Sequence, residues 1–516
     1  MLLEPFDIKI EIYSHFFAVF PKSVSARNAI YNFANRFVET EWKYDQQLRK
    51  NVQVVKSVWG GRLEDNTQFR YPISLLGEFK RKLLNFGVPL EKITEKVIPS
   101  YTPHPEAFSL DPKYKLRDYQ EEGHQFADQR KAEGINSVLL QMPTGSGKTV
   151  TLLAYAVKLG LRMGMIVAPA HMESWIGYFQ SYFGLPPEKT YVVRGGKAIV
   201  KLFALCRSGD YEYPTTLFSL RTLTEFFKAY EADPQACIDM YGGTPFELWS
   251  YTKIGFLGGD EVHENLEAVY WLQTFIHGPF HLGLSATMFH KDKFKSEMQN
   301  IIYPKAIRFD KIKMKKYIRQ VNLGYRFEDI EKDHIRLSFP RRTTYSQNAF
   351  ELSILKNRKV KTNVFKMLNV IFEEFWLNRK ENGDKAGFYF SRIDFINEYL
   401  AHLKKSYPSL DIRRYVEQDP FENLMDSDVY ITTIGSGGTG VDIAGLITVF
   451  NFDNVDSIQR NAQLLGRLRE KEGKEMIFVQ LYATNLKKHI GYKDSRDKLF
   501  EDRVLSRADV LYPGVV

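Results

Sequence analysis

The sequence predicts two α/β domains in tandem, each built on a parallel sheet, behind a small α+β domain. Three observations predict it. From residue 113 onward, short apolar runs alternate with helical stretches, as in a parallel sheet buried on both faces. That alternation occurs twice. Ahead of it, Pro99, Pro103, Pro105 and Pro112 interrupt any regular pattern and read as an extended linker after a block of domain size. The 516 residues allow about three domains at roughly 150 residues each. The expected boundaries are an N-terminal domain at 1–98, a linker at 99–112, an α/β domain at 113–300, a basic linker at 301–344, a second α/β domain at 345–490 and a tail at 491–516.

In the N-terminal block, Phe6 to Ile12 alternates apolar and polar residues like a half-buried strand. Leu75 to Phe86 repeats apolar residues at helical spacing and carries Lys80, Arg81 and Lys82 on its polar side. The first strand series is Ser137–Leu140, Gly164–Val167, Thr215–Phe218 and Ile254–Leu257. The second is Ala386–Phe390, Val429–Thr432, Ile447–Phe450 and Glu475–Val479, the latter expected as its last strand. No low-complexity tract or solenoid-length repeat is present.

Composition narrows the class. Apolar residues at 44% and charged residues at 26% are ordinary for a globular protein and exclude a mostly disordered or fibrous chain. Lys plus Arg exceed Asp plus Glu by 71 − 62, a net +9, which permits a polyanionic partner without establishing one. Cys206 and Cys237 lie outside any CxxC or Cys/His cluster, which argues against a disulfide scaffold or a Cys-type zinc site. No apolar run reaches membrane-spanning length, and Met1 to Lys9 lacks the layout of a secretion signal. A cytoplasmic location is expected.

The strongest local signal is the PTGSGKT stretch Pro143, Thr144, Gly145, Ser146, Gly147, Lys148, Thr149, between the strand Ser137–Leu140 and the apolar helix Thr151–Leu159. Strand, glycine-rich loop and helix in this order make a phosphate cradle, because backbone N–H groups and a helix N-terminus converge on one point. Lys148 is placed to meet the terminal phosphates and Thr149 to hold Mg²⁺. The strict GxxxxGK[ST] pattern is broken by Met142, which stands where the first Gly would.

Downstream, Gly258-Gly259-Asp260-Glu261-Val262-His263 follows the run Ile254–Leu257. Both carboxylates therefore project from the C-terminal edge of a parallel strand, where ligands bind in open α/β sheets. Asp260 is expected to hold Mg²⁺ and Glu261 to orient and deprotonate the attacking water. A kinase has no use for such a Glu; a nucleotide hydrolase does.

PTGSGKT followed by DEVH resembles motifs I and II of superfamily 2 helicases and nucleic-acid translocases. The remaining motifs follow in that family's order. Leu116 to Gln120 looks like the upstream adenine-reading element, with Gln120 as reader, and Val167 to Ala170 resembles motif Ia, which puts Pro169 on the nucleic-acid side. Leu284-Ser285-Ala286-Thr287 resembles motif III, so His263, Ser285, Thr287 and, in motif VI, Gln463 are the implied coupling residues. Phe388 to Ser391 resembles motif IV, with Ser391 as a track contact. Gly437 to Asp442 resembles motif V and gives Gly440 and Asp442 to the ATP site. Gln463 to Arg469 resembles motif VI, with Arg467 as the arginine finger. The second Arg of the usual QxxGRxxR falls one position early, at Arg469, with Glu470 in its place; after a local shift Arg469 is the implied second catalytic arginine. The resemblance implies RecA-like domains, ATP and Mg²⁺ as cofactors, and 3′→5′ movement.

The N-terminal block adds Trp59-Gly60-Gly61-Arg62, Tyr71 to Gly77 and Leu83 to Gly87. These resemble the small domain ahead of the motor in the UvsW-type branch-migration helicases of T4-like phages. The resemblance implies a DNA partner that is branched: forks, four-way junctions, D-loops and R-loops, in recombination and repair within a bacterial host. The SAT triplet at Ser285 departs from the triplet expected in that group. DNA contacts are expected from the basic run 305–319, with Lys313, Lys315 and Lys316, and from Arg62, since such motors hold the backbone rather than read bases. A solvated linker face fits that run equally well. Two alternatives stay open: a general strand-separating or RNA-directed helicase, and an ATP-switched DNA clamp or annealing module.

Overall fold

A computed structural model describes residues 8–45, 48, 50–58, 67–143, 145–286, 292–310, 315–339, 344–416, 418–437 and 443–516. The chain divides into two compact units: Met1–Met142 with Gly147–Ile312, and Pro143–Ser146 with Lys313–Val516.

The first unit opens on a four-stranded sheet in the order Phe69–Pro72, Phe16–Pro21, Ile8–Ile12, Ile93–Val97. The first three strands are antiparallel and the last is parallel to its neighbour. The helix expected from the Leu75–Phe86 pattern runs Leu76–Asn85 and lays Phe79 and Leu83 into the core. A separate antiparallel ribbon pairs Val38–Asp45 with Lys50–Val58.

The same unit then forms a sheet of seven described strands, in the order Arg308–Phe309, Ser137–Gln141, Phe280–Ser285, Phe256–Gly259, Met163–Val167, Thr215–Ser219, Thr190–Val193. All pairings are parallel. The second unit has its own all-parallel sheet: Ile412–Tyr415, Val429–Thr433, Lys385–Phe390, Leu446–Asn451, Met476–Ala483, Ile318–Arg326, Val504–Val515. The fold class is the expected one, two RecA-like parallel-sheet domains after a small α+β domain.

Several elements depart from the sequence reading. The stretch 301–344, read as a linker, carries Arg308–Phe309 of the first sheet and Ile318–Arg326 of the second. The last strand of the second sheet is not Glu475–Val479. Val504–Val515 follows it, inside the stretch read as a tail, after the helix Lys487–Leu499. Both were hidden for physical reasons. Ile318–Arg326 buries Gln320 and Asn322, which Asp497 satisfies at 2.6 and 3.2 Å, so its apolar run is broken. Val504–Val515 is an edge strand with Leu505 and Leu511 exposed, and lacks the all-apolar signature of a central strand. The proline-rich stretch 99–112 is a strap. Its backbone at His104, Glu106 and Asp111 donates to Lys253, Gly160 and Tyr182 of the first α/β domain.

The N-terminal domain is fused to that domain by a shared apolar cluster, with Phe33, Phe37, Tyr71 and Phe79 continuing into Tyr270, Met298 and Ile302. Polar groups pin the same face. His15 Nε2 lies 2.9 Å from the Asn136 carbonyl, Ser74 donates to the Ile301 carbonyl at 2.6 Å, and Arg36 bridges Glu78 and Glu297, each at 2.5 Å. Arg70, fully buried on the strand Phe69–Pro72, ion-pairs with Glu231 of the helix Leu220–Ala232 and lies 4.3 Å from the ring centre of Phe275.

Candidate active site

The loop begins where Ser137–Gln141 ends. The next backbone N–H, at Met142, donates to the Ser285 carbonyl at 2.8 Å, which ties the loop's first residue to the neighbouring strand. The loop needs left-handed backbone at two positions, and glycine fills both: Gly145 at φ 89° and Gly147 at φ 82°. Inside it Ser146 Oγ donates to the Pro143 carbonyl at 2.7 Å. Gly147 caps the helix Lys148–Leu159, so Lys148 and Thr149 stand in its first turn, at the positive end of the helix dipole. Gln120 is buried, accepts from Arg117 N–H at 2.8 Å and donates to the Gly147 carbonyl at 3.3 Å.

Asp260 and Glu261 leave the strand Phe256–Gly259 at its C-terminal edge, as expected. Lys148 Nζ meets Glu261 Oε1 at 2.5 Å, and both side chains are mostly buried. The other oxygen of Glu261 lies 3.3 Å from His263 Nδ1, and His263 Nδ1 lies 2.8 Å from Ser285 Oγ. Glu261 sits at φ 45°, a left-handed conformation that a non-glycine residue holds only where its surroundings enforce it. Burial pushes its carboxyl up, but Lys148, His263 and the Ala286 N–H together hold it below the usual range. Asp260 behaves oppositely: burial, then the adjacent Glu261 charge, raise it, against the pull of Lys148 and the Trp175 indole, which donates at 3.0 Å. Glu261 is thus held toward its ionised form and Asp260 toward its protonated form.

A cavity of about 430 Å³ runs from Asp260 and Glu261 past Ala168 and Pro169 to Arg221 and Lys228. The structure therefore joins Gln120, Lys148, Asp260, Glu261, His263 and Ser285 in one place, with Pro169 at the cavity wall. Sequence reading missed Trp175. Its spacing with Met172 and Phe179 on the helix Met172–Phe183 reads as an ordinary core stripe, and nothing marks its N–H as aimed at a carboxylate.

The second unit holds its own part of the expected set. Gln463 lies on the helix Ile458–Leu465, and Arg467 is buried just past its end, near enough to Tyr389 and Tyr430 to act on their hydroxyls electrostatically. Arg469 is half-buried and acts on the charge of Arg503, whose guanidinium donates to the Tyr317 hydroxyl at 2.6 Å. Arg496, also unread in the sequence, is fully buried. It donates to the Asp453 carbonyl at 2.8 Å and to Asn461 of the helix Ile458–Leu465 at 2.9 Å, fixing that helix against the preceding loop. Ser391 N–H donates to the buried carboxylate of Glu351 at 2.9 Å, and its hydroxyl donates to Asn348 at 2.9 Å. In the basic run, Lys315 pairs with Glu470, Arg319 with Glu475 at 3.5 Å, and Arg308 with Asn300, so these cations have intrachain partners; Lys316 is exposed. Thr144, Thr287, Gly440, Asp442, Lys313 and the Trp59–Arg62 element lie outside the described residues.

Glu351 gives a pH prediction. Burial and then Asp453 raise its carboxyl from near 4.5 to about 8. The folded chain therefore keeps a proton there that the unfolded chain releases near 4.5, so this contribution to stability is full below that value and is lost as pH rises toward 8. Between those limits the melting temperature of the parent is expected to fall relative to Glu351→Gln. Parallel melting curves would refute the assignment.

Residues 113–171 match the family model described as "Type III restriction enzyme, res subunit". No curated protein matches the sequence. Among solved structures, the Pyrococcus furiosus Hef helicase domain is 14% identical, with a TM-score of 0.45 over 74% of this chain and 98% of that one. T4 UvsW is 14% identical, with a TM-score of 0.34 over 98% of this chain and 99% of that one. The fold assignment rests on this chain's own strand pairing. No helix among the described residues is long and apolar enough to cross a membrane.

Proposed function

We propose that the chain is an ATP-dependent superfamily 2 helicase or translocase that remodels branched DNA: it regresses forks, migrates four-way junctions and dissolves D-loops and R-loops. The observation that supports it most is the buried chain Lys148–Glu261–His263–Ser285 beside Asp260, set at a strand edge behind a phosphate loop. Glu261, ionised by Lys148 and its N–H donors, is the base that takes a proton from the attacking water. His263 and Ser285 link that base to the strand Phe280–Ser285, the route by which the hydrolytic site senses the motif III loop. Lys148 holds the terminal phosphates and Arg467 supplies a further cation to the developing charge.

The residues fit Mg²⁺, which when bound neutralises phosphate charge. Asp260 offers a carboxyl at the strand edge, raised first by burial and then by Glu261, a state that a bound cation would relieve, and Thr149 offers a hydroxyl in the helix first turn. Among the described residues no group of three or more His, Cys, Asp or Glu side chains could hold a metal ion, and a cation completed by phosphate oxygens needs none.

The test compares ATP-dependent processing of a four-way junction with that of a 3′-tailed duplex, with Lys148→Ala as blank. Junction dissolved and tailed duplex intact is the expected result. Equal or better unwinding of the tailed duplex would make the chain a general helicase. Hydrolysis on DNA with neither substrate processed would make it a clamp.

A further inference from the structure

The ribbon formed by Val38–Asp45 and Lys50–Val58 has two chemically distinct faces. In an antiparallel pair, residues opposite each other share a face. The register places Trp42 opposite Gln53, Tyr44 opposite Asn51 and Thr40 opposite Val55, so these six residues form one face. All are exposed: Trp42 at 69%, Tyr44 at 63% and Val55 at 60%. Large aromatics left this far in water on an isolated ribbon are costly unless something covers them. Glu39, Glu41 and Asp45 all fall on the opposite face, together with Val52 and Val54, which are half-buried.

From this segregation we infer that the outer face of the ribbon is a stacking platform for unpaired nucleobases. Trp42 and Tyr44 are two residues apart on one strand, about 6.8 Å at the usual strand rise, so each ring can take its own base of an extended single strand. Asn51 and Gln53 lie across from the two rings and offer amides to base edges; Gln53 Nε2 is steadied by Thr40 Oγ1 at 2.6 Å. No carboxylate on this face repels a strand carrying phosphates; Lys43 and Lys50 lie with Glu41 and Asp45 on the opposite face, where Lys43 pairs with Glu41 at 2.7 Å. The inference deepens the reading of the chain as a nucleic-acid motor and rests on it: unpaired bases at a branch would be held on the N-terminal domain.

The experiment measures binding of fluorescein-labelled single-stranded oligonucleotides, DNA and RNA, to the full chain by anisotropy, beside nucleic-acid-stimulated ATP hydrolysis. Trp42→Ala with Tyr44→Ala is expected to weaken binding by roughly tenfold or more, at the scale of aromatic–base stacking, and Trp42→Phe to recover most of it. An abasic oligonucleotide of equal length should bind parent and variant alike. A variant that binds normal oligonucleotide as tightly as the parent, while DNA still stimulates hydrolysis, overturns the platform and leaves the motor reading standing. An equal loss on abasic and normal strands also overturns it. If the parent neither binds nucleic acid nor is stimulated by it, the motor reading itself fails. Because the side chains are exposed, the variants should melt with the parent. DNA bound in preference to RNA, or the reverse, identifies the strand served.

Discussion

Replacing Glu261 by Gln is expected to lower the rate of ATP hydrolysis by roughly 10²–10⁴, the contribution of a positioned general base, while nucleotide affinity is kept or improved. That is about 3–5 kcal/mol of barrier. The direction of the affinity change comes from the ion pair. Lys148 is held by Glu261 at 2.5 Å, and an arriving phosphate competes with that carboxylate for the same ammonium. A neutral amide competes less. Lys148→Ala, by contrast, is expected to lose both binding and hydrolysis, since it removes the phosphate partner and leaves Glu261 buried without its main counter-charge. Single-turnover hydrolysis and equilibrium binding of a labelled nucleotide separate the two outcomes. A Glu261→Gln enzyme with unchanged turnover would take Glu261 out of the chemistry. The clamp alternative would then gain.

The second large effect is structural. Arg70→Ala is expected to destabilise the first unit by about 3–5 kcal/mol, because it leaves the buried Glu231 without its counter-charge and removes the guanidinium packed on Phe275, Phe246 and Tyr230. Arg70 remains a cation at neutral pH, although burial brings it down to about 9. Substituting both partners by apolar residues, Arg70→Met with Glu231→Leu, should recover most of the loss, since no unpaired charge is then left inside. Denaturant unfolding measures the cost, and an Arg70→Ala midpoint equal to the parent's would sink the argument. The same geometry bears on domain deletion. Removing residues 1–98 would uncover Tyr270, Ile301 and Ile302 and strand Glu231. Point substitutions on the N-terminal domain therefore test substrate choice more cleanly than its removal.

The grouping of Lys148, Asp260 and Glu261 was legible because its pattern is local. A strand, a loop of PTGSGKT and a helix must be contiguous to cradle phosphate, and a DEVH turn must follow its strand directly, so order and spacing carry the signal. The parts that tune the site were not legible. Trp175 on Asp260, Arg496 beneath the helix Ile458–Leu465 and Glu351 under Ser391 come from segments far away in the chain, and each looks like a core or solvated residue in its own neighbourhood.

The same division runs through the fold. The sequence by itself determined the two parallel sheets, since strands buried on both faces must be nearly all apolar and so announce themselves. It also determined the helix Leu76–Asn85, through its spacing. Tertiary structure decided the rest. Ile318–Arg326 is a strand because Asp497 satisfies Gln320 and Asn322 from another segment, and Val504–Val515 is one because an open sheet edge receives it. The proline-rich stretch is a strap because carbonyls of the first α/β domain meet its N–H groups. The docking of the N-terminal domain joins apolar residues from distant segments into one cluster and sets one buried cation against one anion, a pairing of residues 70 and 231 that no local pattern encodes.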